Sequence, residues 1–142
     1  MGLDMYALTC DPDRVQRREL GGNQLPTWHP ASPQDATTIH TWRKHPNLHQ
    51  WMTDLYFRKE GLTGPITLAP MGPAFNAGQF VRITEHDLDQ LEAAVKADAL
   101  AKATGFFWGD SSPEDKKRDL AFIRKARKAI KAGKAVFYTS WW

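Results

Sequence analysis

GFFWGDSSPEDKKRDLAFIRKARKAIKAGKAVFYTSWW, residues 105–142, is the stretch whose reading decides the fold, because it contains a complete strand, helix, strand unit. Gly105-Phe106-Phe107-Trp108-Gly109 is a short aromatic run bracketed by glycines, the pattern of a buried strand ending in a sharp turn. Ser112-Pro113-Glu114-Asp115 then starts a helix: Ser112 can cap it, Pro113 suits its first position, and the two acids complement the positive end of the helix dipole. Leu120, Ile123, Ala126 and Ile130 recur at helical spacing, with lysines and arginines around the rest, and Gly133 stops the helix. Residues 135–142 have the β-branched and aromatic content of a closing strand.

Working outward, residues 3–9 alternate loosely as a first strand with Asp4 near its start. An ionised carboxylate there is either a strand-end group in water or a group at the edge of a pocket. Residues 11–32 turn polar and form an excursion, a loop or hairpin expected to be mobile, that carries Arg14, Arg17 and Arg18. Ser32-Pro33-Gln34-Asp35 repeats the start signal of Ser112, which predicts a helix from there with Ile39 and Trp42 on its inner side. Pro46 kinks or divides that helix, and Leu48, Trp51, Met52, Leu55 and Tyr56 continue its apolar face toward Gly61. Residues 61–77 are a Pro/Gly-rich connection, and 79–83 form a short strand. Thr84 caps a further helix, with Asp87 placed to return the hydrogen bond and Leu88, Leu91 and Val95 as its core face.

The expectation is an α+β fold: a single domain over residues 1–142, with a small mixed sheet of about four strands (3–9, 79–83, 106–108 and 136–141) covered by three helices. A chain of 142 residues, 42% hydrophobic, suits one core. Six Trp, seven Phe and three Tyr exceed what a minimal core needs, which points to a pocket or a homo-oligomer interface. A formal charge of +3 is too small and dispersed for a dedicated nucleic-acid binder but suits a small anionic ligand. Cys10 is the only cysteine, so no disulfide can form within the chain, and a cytoplasmic location is the default. No apolar run has the length of a membrane span or the layout of a signal peptide.

Chemistry concentrates between His40 and His49. His45 and His49 stand one helical turn apart, as two metal-ligating imidazoles do, yet no acid stands between them and no metal or other cofactor is expected. The alternative is a phosphate or carboxylate site at a helix break, with Arg43, Lys44, His45 and His49 supplying charge and Trp42 or Trp108 a stacking surface. Against it stands the plainer arrangement, tryptophans in the core and charges in water. There is no nucleophile elbow, phosphate-binding glycine loop or dinucleotide fingerprint, so an enzymatic reading has no motif behind it.

The opening MGLDMY, Trp42-Arg43-Lys44 followed by His49 and Trp51, the GFFWG run and the closing FYTSWW together resemble a family of small phage and bacterial proteins of no established activity. Its members open MGLDMYL, carry a YWRK segment before an IHKWF-like helix, contain GFFFG and end in a YYSSWW-like strand. The chain departs from that pattern at Thr41, where the family has tyrosine, and at Pro46. The resemblance implies a phage or mobile-element context, in which small proteins counter host systems by binding a signal molecule or a host protein. Three functions follow as expectations. The first is non-catalytic binding of a small anionic, nucleotide-like ligand through Asp4, Trp42, Arg43, Lys44, His45, His49 and Trp108. The others are an interaction module for a host protein, and a phosphoester or glycosyl hydrolase using His49 or His40 with Asp4.

Overall fold

A computed structural model describes residues 2–18, 27–60, 79–103 and 111–141 of the chain. Among these residues six strands and three α-helices follow in the order β1 (Asp4–Cys10), β2 (Val15–Arg18), β3 (Thr27–Pro30), β4 (Thr37–Arg43), α1 (Pro46–Lys59), β5 (Val81–Ile83), α2 (Glu85–Lys96), α3 (Asp115–Lys131) and β6 (Ala135–Trp141). The α+β expectation holds: four strands in the order β4-β1-β6-β5 make one sheet, and β2 pairs with β3 in a separate ribbon. Every pairing among the described residues is antiparallel, where the sequence reading had a mixed sheet. The expected strand at 106–108, the connection 61–77 and Trp108 lie outside the described residues.

One element is corrected outright. Residues 37–43 form an edge-side strand, not the first half of a broken helix. Thr37, Thr38, Ile39 and Thr41 are β-branched and stiff at χ1, and with Trp42 they favour the pleated surface beside β1 over a helix. The Ser-Pro signal before them is real but local: Pro33–Asp35 make a single 3-10 turn, tied by Ser32 Oγ donating to Asp35 Oδ2 at 3.0 Å. Pro46 accordingly starts a helix instead of kinking one, since a first-turn residue has no intrahelical use for the N–H that proline lacks. Within the polar excursion β2 and β3 pair from Val15↔Pro30 to Arg18↔Thr27, as the hairpin of the two alternatives requires.

The register sorts the sheet into two faces. Met5, Ala7, His40, Trp42, Val136, Tyr138, Val81 and Ile83 share one face, and the helices cover it. All of these but His40 join Leu48, Met52, Leu55 and Tyr56 of α1, Leu88, Leu91 and Val95 of α2, and Phe122, Ile123 and Ala126 of α3 in one buried cluster. The opposite face carries Asp4, Tyr6, Thr41, Arg43, Thr139 and Trp141 at one end. At its other end Cys10, Ala135 and Phe137 pack with Val15 and Phe80 beneath the β2–β3 ribbon. Helix α2 opens on the predicted capping box, in which Thr84 and Asp87 each accept the other's backbone N–H. Helix α3 closes at Gly133, whose φ of +83° lies where side chains are disfavoured. Among the described residues no helix is long and apolar enough to cross a membrane.

Candidate functional site

The end of β4 distributes the residues singled out from the sequence. Arg43 pairs across the sheet with Asp4, and its Nε stands 3.6 Å from Asp4 Oδ1. Lys44 then takes a positive φ of 54°, while its N–H donates to Leu3 O at 2.8 Å. That left-handed step turns the chain from the sheet into α1. Arg43 and Lys44 stay exposed, whereas His45 and His49 are buried.

Asp4, Tyr6, Thr41, Trp42, Arg43 and Arg118 line an open groove of about 480 Å³ at the edge strand β4, with residues from both sheet faces. Asp4 stands in the lining of this groove at the start of β1, half-exposed and paired with Arg43. Three of the expected site residues, Asp4, Trp42 and Arg43, come together here. The groove adds three residues outside the expected set, Tyr6, Thr41 and Arg118. Tyr6 sits two residues from Asp4 on the same strand face, a signal available from alternation alone. Arg118 comes from α3 and could be placed only once α3 was known to cover β4.

The expected roles of the two histidines change. His49 is 1% exposed, and burial lowers its pKa to about 3. Its Nδ1 is 2.7 Å from the Tyr138 hydroxyl, whose own pKa burial raises well above 10. A neutral imidazole accepting from a phenol that keeps its proton is a core contact and supplies no positive charge. His40 behaves similarly. Its pKa falls to about 4, first through burial and then through the nearby charges of Lys125 and Arg118. Lys125 Nζ lies 3.1 Å from His40 Nδ1, and His40 Nε2 is buried without a hydrogen-bond partner among the described residues. His40 pairs with Ala7 and Asp4 with Arg43, so the two lie on opposite sheet faces and the expected His40–Asp4 couple does not form.

His45 instead centres a polar network. Its Nε2 is 2.8 Å from Asp119 Oδ2 and its Nδ1 is 2.7 Å from Ser111 Oγ. Asp115 Oδ2 stands 3.5 Å from the same Nδ1. Trp42 Nε1 donates to Asp119 Oδ1 at 3.0 Å, so both oxygens of that carboxylate are used. Burial raises the Asp119 pKa, against the pull of His45 and Trp42. Ser111 Oγ accepts the Asn47 N–H at 3.2 Å and so satisfies a first-turn donor of α1 that its own cap residue leaves open. Arg118 joins this network to the groove by donating to Asp115 Oδ1 at 3.1 Å. The sequence signal for the network was the pair Asp115 and Asp119, one turn apart, with Asp119 inside the apolar stripe of α3. Two acids so placed need a cation or donors between them.

The imidazoles of His45 and His49 turn to different partners, so the pair does not converge on a shared ligand position. The arginines of the excursion also separate. Arg14 reaches Asp35 at 3.9 Å, while Arg17 pairs with Glu60 at 3.0 Å and lies over the Trp28 ring. Comparison of the chain with protein-family models, with curated proteins and with solved structures returns no match.

Proposed function

We propose that this protein binds a small anionic, nucleotide-like ligand in the groove beside β4, as an accessory protein of the phage or mobile-element type that its resemblance implies. One observation carries the reading: two guanidinium groups, Arg43 and Arg118, share a groove of about 480 Å³ with the rings of Tyr6 and Trp42. Guanidinium forks match phosphate oxygens, and an aromatic ring gives a planar base a surface to stack on. Among the described residues Asp4 is the single acid in the lining, and it suits a ribose hydroxyl better than a phosphate. Tyr6 is the stacking surface, because Trp42 is only 4% exposed and its indole N–H is already committed to Asp119. Of the cations expected from the sequence, Arg43 keeps its role and Arg118 takes that of the histidines. Lys44 stands exposed at the strand end, outside the lining.

Thermal unfolding with mono-, di-, tri- and cyclic nucleotides tests the reading. A ligand present at about 100 times its Kd should add about 2.7 kcal/mol to stability. That gain should shrink in Arg43→Ala and Arg118→Ala while their unliganded stability stays within about 1 kcal/mol of the parent. A flat response across the panel counts against it. A second reading, an interaction module for a host protein, is favoured by Trp28 and Trp141, which are 46% and 63% exposed. Pull-down from host lysate with the parent chain and with Trp141→Ala separates the two, since the first requires no macromolecular partner.

A further inference from the structure

We propose that Ser111, His45 and Asp119 form a nucleophilic relay able to hydrolyse carboxylic esters, a centre that adjoins the groove through Trp42 and Arg118 but does not rest on ligand binding there. The geometry is that of a nucleophile, a base and an orienting carboxylate in series: Ser111 Oγ to His45 Nδ1 at 2.7 Å, and His45 Nε2 to Asp119 Oδ2 at 2.8 Å. The ring is reversed relative to the usual serine hydrolase arrangement, with Nδ1 toward the serine, but either nitrogen can accept the proton. Asp119 is 1% exposed and fixed from its other side by Trp42, so it holds Nε2 as the donor and leaves Nδ1 as the acceptor facing the hydroxyl.

Two further features favour proton transfer. Asp115 Oδ2, 3.5 Å from Nδ1, stabilises the imidazolium that the transfer creates. The Asn47 N–H, donated to Ser111 Oγ from the first turn of α1, stabilises negative charge developing on that oxygen. Ser111 is the partly exposed member of the relay, where His45 and Asp119 are buried. A structural staple would satisfy the same donors, and the serine's exposure beside a buried base is what adds chemistry to it.

The reaction balances without a cofactor. Ser111 Oγ attacks the ester carbonyl carbon as its proton passes to His45 Nδ1. The alkoxide departs with that proton and leaves acyl-Ser111. Water then adds to the acyl carbon, gives its proton to Nδ1 and releases the acid, and the proton returns to Ser111 Oγ. Ester and water become acid and alcohol.

Treating the full chain with a fluorophosphonate, which phosphonylates activated serines with loss of fluoride, tests the proposal by intact mass and peptide mapping. The expected result is one adduct, at Ser111, absent in Ser111→Ala, with p-nitrophenyl acetate hydrolysis lost in the same variant. His45→Gln should slow labelling roughly 100-fold, the scale of a lost general base. No adduct on the folded parent chain, an adduct on another serine, or an undiminished rate in His45→Gln overturns the relay. If His45→Gln does not fold, the pH profile of labelling in the parent chain replaces it. The charged groups facing the imidazole are Asp115 and Asp119, with Arg118 behind Asp115. A rate following a single imidazole-type ionisation supports the relay, and one rising only with hydroxide overturns it.

Discussion

Asp119 occupies a position that periodicity assigns to an apolar side chain, between Asp115 and the buried pair Phe122 and Ile123. Its two oxygens hold His45 and Trp42, and removing it leaves both donors buried without an acceptor. Asp119→Ala should therefore cost about 3–5 kcal/mol in urea unfolding, the scale of breaking a buried pair. A loss below about 1 kcal/mol would mean that both side chains find other partners. His40 and His49 give the fold a pH dependence of definite sign. Unfolded, each takes up a proton near pH 6.5; folded, they do so only near 4 and 3. The unfolded chain then binds more protons in that range. Stability is full above about pH 6.5 and falls as pH drops toward 4. Each histidine contributes a slope of up to about 1.4 kcal/mol per pH unit. Comparing the parent with His49→Gln isolates one contribution and cancels the opposing pull of Asp119, whose carboxyl is held above its ordinary range by burial. Equal slopes in the two proteins would contradict the assignment.

At the scale of elements, local signals worked where the backbone satisfied its own donors. The Thr84–Asp87 box starts α2 as read, with the Asp87 carboxylate also meeting Lys59 Nζ at 2.5 Å. The Asp87 pKa lies below the ordinary range: the Lys59 and Thr84 contacts outweigh the opposing desolvation, which is the largest single contribution. Thr84→Ala should cost about 1 kcal/mol, the usual worth of an N-cap, by urea unfolding. A change within error would show that Asp87 alone suffices. Helix α1 shows why its start was misplaced. The group that caps its first turn is Ser111, distant in sequence, so nothing next to Pro46 announced a beginning. With that cap unseen, the Ser-Pro signal before 37–43 drew the helix start one element too early. The β-branched composition of that stretch was the available counter-signal.

Across the whole molecule, Thr27 hydrogen-bonds the β2–β3 ribbon to the residue before β5. Thr27 Oγ1 accepts the Phe80 N–H at 2.8 Å and donates to Phe80 O at 3.1 Å, supplying the rung that a neighbouring strand would otherwise give. Thr27 is fully buried, and Thr27→Val keeps its shape while leaving both backbone groups unmet. The cost should be about 1–3 kcal/mol, seen as a lower urea midpoint with an unchanged denaturant slope. A neutral result would mean that the ribbon is anchored by Val15 and Phe80 packing alone. The two ends of the outer sheet face thus differ: one is closed by this ribbon, and the other leaves Asp4, Tyr6 and Arg43 on the groove.

The sequence by itself determined what is short-ranged: the α+β class, the first and last strands, the core faces of α1 and α2, Ile123 and Ala126 in that of α3, the cap of α2 and the stop at Gly133. These follow from side-chain periodicity and from donors and acceptors within a turn of one another, so they are written in neighbouring residues. Only the tertiary structure decided which charges meet. Arg43 and Arg118 are 75 positions apart (118 − 43) and share a groove because α3 lies over β4. His45 and Asp119 pair for the same reason. The cluster of histidines looked cationic because sequence shows residue type and not burial. Desolvation, a property of the whole packed chain, took the charge from His49 and left the arginines to hold it.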